Sequence, residues 1–249
     1  MRLTSDICLV GGGRFGFGLT SPGDCHVYLI DGGDDLLLVD AGIGGIAGDP
    51  GKIIAQIEQD GYDPSRVSRL FLTHYHTDHM GGAAQMRELL GCEIHGSPLT
   101  ARTLEAGDET QVSLPEAKRA GYFPEDYVLQ PCPAIGDLVD GATFEIGRLR
   151  LRVVDTPGHA SGHVSFLIEG GERTYLVQGD VVFFGGTVFL QNVHDCSIQE
   201  YSASVNKLAE LDFDAHLPGH LGISLEDGKR HILAAKAVFD ALGVPKNLV

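Results

Sequence analysis

The chain reads as an α/β protein built from two similar halves, each a set of strands followed by helices. Apolar runs of strand length alternate with longer segments that carry helix start and stop signals. No linker or low-complexity tract divides them, and a histidine-rich run sits where a strand gives way to a helix. With 249 residues and 43% hydrophobic content the chain can bury a sizeable core, and a single domain over residues 1–249 is expected.

The first strand-like run is ICLV at 7–10. Gly11-Gly12-Gly13-Arg14-Phe15-Gly16 follows it and formally satisfies GxGxxG, but a dinucleotide site needs a helix to begin there. Gly16, Gly18, Pro22 and Gly23 forbid one, so a hairpin or loop near the mouth of an active site is expected. Strands follow near 26–31, 35–40 and 67–72. A helix at about 50–60 is capped by Asp49, opened by Pro50 and stopped by Gly61, with Ile53, Ile54 and Ile57 on one face. Gly81-Gly82 leads into the helical AAQMRELL. Residues 97–140 are the least regular part, with five prolines around one short helix near 114–121, and read either as a substrate-covering lid or as a packed connection. In the second half, strands near 149–155, 163–168 and 174–178 precede a helix from Ser197 to about Leu211, where Ser197 and Glu200 form a capping box. A last helix, about 225–242, is given a start at Ser224 and Asp227 and an inward face of Ile232, Leu233, Ala237 and Val238.

The formal charge of −16, 34 acids against 18 bases, argues against nucleic acid and disfavours polyanionic substrates, because phosphate binding depends on Lys and Arg. The five cysteines are scattered without a CxxC, which indicates neither a disulfide framework nor a thiolate metal site. No window approaches the roughly 18 apolar residues of a membrane span, and the first residues do not read as a signal peptide. The expectation is a cytoplasmic protein with a small-molecule substrate and no membrane partner; homodimerisation is left open.

Chemistry concentrates in Thr73-His74-Tyr75-His76-Thr77-Asp78-His79, between the strand-like VSRLFL and the next helix. Loops leaving buried strands are where α/β proteins carry function. Three imidazoles and a carboxylate in HxHxDH spacing suit zinc or a similar divalent ion. Further candidates are His159 in TPGH, Asp180 in GD and His220 in PGH, each after an apolar run and beside Gly or Pro.

THYHTDHMGG, DTPGHASGH, QGD and LPGH, in that order, resemble the metallo-β-lactamase superfamily, in particular its glyoxalase-II-like hydrolase branch, from LLLVDAG at 36–42 through His220. The resemblance implies a four-layer αβ/βα sandwich, with two mixed sheets face to face and helices outside. It also implies two divalent metal ions, zinc first with iron or manganese as alternatives. One would be held by His74, His76 and His159, the other by Asp78, His79 and His220, and Asp180 would bridge them. Asp40 matches the family's DxG position, where a carboxylate accepts from a ligand imidazole, and His163 its second GH, packed beneath the site without touching metal. His26, His95, His194, His216 and His231 lie outside any motif, with His26 and His194 nearest the cleft.

The implied activity is hydrolysis of an ester, thioester, lactone or amide by a hydroxide shared between the metals. Only 29 residues follow His220, too few for the helical domain with which glyoxalase II binds its glutathione thioester. Asp180 departs from dizinc β-lactamases, and Phe183 stands where acyl-homoserine lactonases have Tyr. The rivals are a one-iron persulfide dioxygenase, in which His163 would be Cys, and a phosphodiesterase or weak β-lactamase of the same fold. The apolar run 181–190 is read as a buried strand pair or as a cleft lining centred on Phe183.

Overall fold

The computed structural model describes residues 1–248. Its organisation follows from which alternate residues of each strand are buried on which side. Strands β1 (Ile7–Gly11), β2 (Val27–Asp31), β3 (Leu36–Val39), β4 (Val67–Phe71) and β5 (Glu93–His95) form one mixed sheet in that order. The first two pairings are antiparallel and the last two parallel. The second sheet has the order β10 (Ala215–Leu217), β9 (Tyr175–Val177), β8 (Val164–Glu169), β7 (Leu149–Asp155) and β6 (Thr143–Ile146), and only β10 runs parallel to its neighbour.

Period-two alternation then sorts the side chains into layers. Ile7, Leu9, Tyr28, Ile30, Leu37, Val39 and Phe71 of the first sheet pack against Leu149, Leu151, Val153, Phe166, Ile168, Tyr175 and Val177 of the second. Their neighbours Cys8, Val10, Leu29, Leu36 and Leu38 point the other way, under Ile53 and Ile57 of α1 (Pro50–Gln59) and Met86 of α3 (Ala83–Leu90). On the far side, Val154, Leu167 and Leu176 meet Tyr201, Val205 and Leu208 of α6 (Ile198–Ala209) and Ile232, Ala235 and Phe239 of α7 (Lys229–Asp240). Helices, sheet, sheet and helices make the four-layer αβ/βα sandwich.

Several elements depart from the sequence reading. Within 97–140 there are two helices, α4 (Pro98–Ala106) and α5 (Leu114–Arg119); Leu104, Leu114, Tyr127 and Leu129 pack on the outer face of the first sheet. The last helix starts at Lys229, because Asp227 takes a left-handed φ of 51° and Ser224 bonds the His231 ring instead of capping. Its buried stripe is Ile232, Ala235 and Phe239, while Leu233, Ala237 and Val238 face outward. No helix forms over residues 11–24. The loop there hydrogen-bonds across to the segment after β10, Leu221 N donating to the Phe15 carbonyl at 2.5 Å. No helix among the described residues is long and apolar enough to cross a membrane.

Candidate metal centre

Five strands end toward one place. Asp40 follows β3, the Thr73–His79 loop follows β4, His159 follows β7, Asp180 follows β9 and His220 follows β10. The short helix α2 (Thr77–Met80) carries Asp78 and His79 in its first turns, so both reach the hollow from one side.

Donor atoms of His74, His76 and His159 lie within 4.8 Å of one another, as do those of Asp78, His79 and His220. Asp180 stands between the two groups. Its Oδ1 is 3.4 Å from His79 Nε2, and its Oδ2 is 3.6 Å from His159 Nε2 and 3.5 Å from His220 Nε2. His76 Nδ1 faces His159 Nε2 at 2.9 Å, and His220 Nε2 faces Asp78 Oδ2 at 3.0 Å.

Hydrogen bonds on the far side of the rings decide which nitrogen is free. His79 Nδ1 donates to Asp40 Oδ2 at 2.8 Å, and His159 Nδ1 donates to the Phe189 carbonyl at 2.9 Å. The Thr73 hydroxyl donates to Asp40 and can therefore accept from His74 Nδ1, at 3.0 Å. In each ring the proton sits on Nδ1, leaving the Nε2 lone pair aimed inward. His74 Nε2, His79 Nε2 and Asp180 Oδ1 are buried and find no hydrogen-bond partner among the described residues. Such atoms are costly unless something answers them. A dense set of imidazole lone pairs with two carboxylates fits a pair of divalent cations.

The electrostatics agree. Burial, reinforced by neighbouring imidazoles, pushes His74 well below its usual range, and burial beside His159 pushes His76 to about 4, so both offer lone pairs at neutral pH. Burial would raise the Asp180 carboxyl, but His220 and His79 hold it well below the usual value. His79 moves the other way: burial would lower it, but Cys25 and the carboxylates of Asp180, Asp78 and Asp40 raise it.

His163 lies one layer below. Its ring stacks on His74 at 4.8 Å, its Nδ1 bonds Thr156 Oγ1 at 2.9 Å, and its Nε2 accepts from the Asp180 backbone N–H at 3.2 Å. Of the histidines outside the motifs, His26, immediately before β2, comes nearest, its ring 6.5 Å from that of His220 and its Nδ1 3.0 Å from the Pro218 carbonyl. His194 is exposed, near Gln111 and Ser113.

Sequence reasoning missed the supports from the chain's end. Asn247 clasps Leu190, accepting from its N–H at 2.9 Å and donating to its carbonyl at 3.0 Å, while Val188 N donates to the Lys246 carbonyl at 2.9 Å. This clasp holds the Phe189 carbonyl that fixes His159. Tyr201 adds to it, its hydroxyl donating to the Asp180 carbonyl at 2.7 Å.

The family model for the metallo-β-lactamase superfamily matches residues 20–220. This chain belongs to the metallo-β-lactamase superfamily. Relatives of this superfamily member include the atrochrysone carboxyl ACP thioesterase of Aspergillus fumigatus, 26% identical over 195 residues, covering 78% of this chain and 50% of the relative. A hydroxyacylglutathione hydrolase of a Bradyrhizobium species is 27% identical over 129 residues, covering 52% of this chain and 39% of the relative. The chain therefore spans about half or less of the length of these curated relatives. Among solved structures, a metallo-β-lactamase family protein from Thermus thermophilus superposes with a TM-score of 0.73 at 24% identity, covering 96% of this chain and 81% of that one. The subclass B3 metallo-β-lactamase BJP-1 of Bradyrhizobium japonicum gives a TM-score of 0.66 at 19% identity, covering 93% of each chain. These two likenesses show the fold.

Proposed function

We propose that the chain is a metal-dependent hydrolase that cleaves a thioester. Two divalent ions, zinc foremost, would be held by His74, His76 and His159 on one side and by Asp78, His79 and His220 on the other, with Asp180 shared. The observation that carries this reading is the set of buried, unpartnered donors, His74 Nε2, His79 Nε2 and Asp180 Oδ1, aimed into one hollow. Thioesters are preferred over other carbonyl compounds because relatives named as thioesterases and hydroxyacylglutathione hydrolases recur among the matches.

When bound, such a pair of ions supplies an activated water and draws electron density from a carbonyl. The protein's own work is positioning. Asp40 and the Phe189 carbonyl hold the His79 and His159 rings so that neither can swing away. His163 and Tyr201 fix the backbone on both sides of Asp180, keeping its Oδ1 toward His79 and its Oδ2 between His159 and His220. Water attack forms the new C–O bond, the C–S bond breaks, and the thiol leaves with the proton that water gives up.

Metal analysis with a turnover assay tests this. About two zinc-like ions per chain, and hydrolysis of S-acyl thioesters that chelation abolishes and zinc restores, are expected. A single iron with oxygen consumption would sink the hydrolase reading. A subtler prediction concerns the clasp: Asn247→Ala should weaken metal binding by about tenfold to a hundredfold, as removing outer supports of metal ligands does. Competition with a chromophoric chelator measures it, and affinity unchanged from wild type would show that His159 needs no help from the chain's end.

A further inference from the structure

Where the segment after β10 meets the chain's end lies a cavity of about 410 Å³, in the range of small-molecule sites. Phe184, Leu221 and Leu248 supply its apolar lining, and Lys246 and Asn247 its polar edge. It is built on the segments that carry the site, since Leu221 and Gly222 follow His220 in the chain and Asn247 holds Leu190, next to the Phe189 carbonyl behind His159. The sequence reading placed the apolar lining at Phe183, but that ring is fully buried and it is Phe184, 48% exposed, that borders the cavity.

Two features set this cavity apart from a chance hollow. Leu221 has a left-handed φ of 64°, a conformation that leucine adopts at a cost and glycine adopts freely. Non-glycine residues in this region concentrate at functional sites, where surrounding structure holds them in place. Here the backbone N–H of Leu221 is tied to the Phe15 carbonyl, which fixes the strained turn and presents the isobutyl group to the cavity. The second feature is charge. In a chain of 34 acids and 18 bases, Lys246 has no carboxylate partner among the described residues, whereas Arg230, near the Phe184 ring, is paired with Asp227. An apolar pocket edged by an ammonium that pairs with no carboxylate among the described residues complements an apolar group that carries a single negative charge.

We infer that this cavity receives the acyl part of the substrate, an apolar chain or ring bearing one anionic group that meets Lys246. The inference rests on the hydrolase reading for the word substrate, but the pocket itself can be tested without turnover. The probe is 1-anilinonaphthalene-8-sulfonate, an apolar ring system with one anionic group, titrated into the metal-loaded protein by fluorescence. Leu221→Gly and Lys246→Gln should each weaken its binding, the first by about tenfold and the second by about threefold to fivefold. The melting temperature of Leu221→Gly should stay within a few degrees of wild type, because relief of the strained backbone offsets the lost side-chain contacts. Binding unaffected by both substitutions overturns the pocket.

N-acetylcysteamine thioesters then connect pocket to reaction. Wild type should favour octanoyl over acetyl, and a monothioester of octanedioic acid over octanoyl. Leu221→Gly should shrink the first preference and Lys246→Gln the second. If both ratios stay fixed, the acyl assignment is wrong. If no thioester is cleaved while dye binding still depends on both residues, the hydrolase reading falls and the cavity stands as a binding site for apolar anions.

Discussion

Replacing Asp180 with alanine should lower kcat/KM for thioester hydrolysis by on the order of 10³-fold, the several kcal/mol of charge stabilisation that a dication contributes to catalysis, converted at about 1.36 kcal/mol per tenfold. The reason is position. Asp180 faces both ligand groups: its Oδ2 lies 3.6 Å from His159 Nε2 of one and 3.5 Å from His220 Nε2 of the other, and its Oδ1 lies 3.4 Å from His79 Nε2. Its carboxylate also supplies negative charge between two sites that would each hold a dication. The fold should survive, because Asp180 belongs to none of the three apolar clusters and its backbone keeps the bonds to His163 and Tyr201. Circular dichroism should match wild type while metal content per chain falls. Full activity in a well-folded Asp180→Ala protein would mean that the shared carboxylate has no part in catalysis.

What could be read in the sequence was the chemistry that demands particular side chains. A divalent site requires imidazole and carboxylate at loop positions after buried strands, and HxHxDH, TPGH, GD and PGH provide them in forms that resist confusion with core packing. Supports made by the backbone left no such mark. The Phe189 carbonyl behind His159 could belong to any residue, and the Asn247 clasp joins segments 57 positions apart through an amide side chain that elsewhere would read as ordinary surface. Among the elements, α4 did carry a signal of the kind that marked α1: Ser97 caps it, Pro98 occupies its first turn and Gly107 ends it in a left-handed conformation. The prolines that crowd residues 97–140 hid it, although Pro98 is a helix starter at that position. The strands β5 and β10 have three residues each, too short for alternation to register, and their existence depends on pairing with β4 and β9. The start of α7 was misjudged because Asp227 looked like a cap, but its left-handed backbone delays the helix by one turn, and of the expected inward face only Ile232 is buried.

Gly219→Ala should cost about 10² in kcat/KM with little loss of secondary structure. A Cβ at this position would sit 2.3 Å from Asp180 Oδ1 and 2.6 Å from His79 Cε1, so the methyl group would press on both sides of the metal hollow at once. The backbone cannot retreat to make room. Gly219 N donates to the Gly179 carbonyl at 2.7 Å, and its own carbonyl accepts from His26 N at 2.6 Å, which pins the peptide from both directions. Asp180 or His79 must therefore yield by roughly an ångström, the scale of displacement at which positioned catalytic groups lose about two orders of magnitude in rate. His79 has little freedom, since its Nδ1 is held by Asp40, itself locked in a left-handed turn with φ 64° and bonded to Thr73. The load falls on Asp180, whose carboxylate turns away from its shared position. A drop in metal affinity with a nearly unchanged melting temperature would locate the damage in the hollow. A large fall in melting temperature with metal affinity intact would mean that Gly219 serves the packing of the β10 loop and that the hollow tolerates a methyl group.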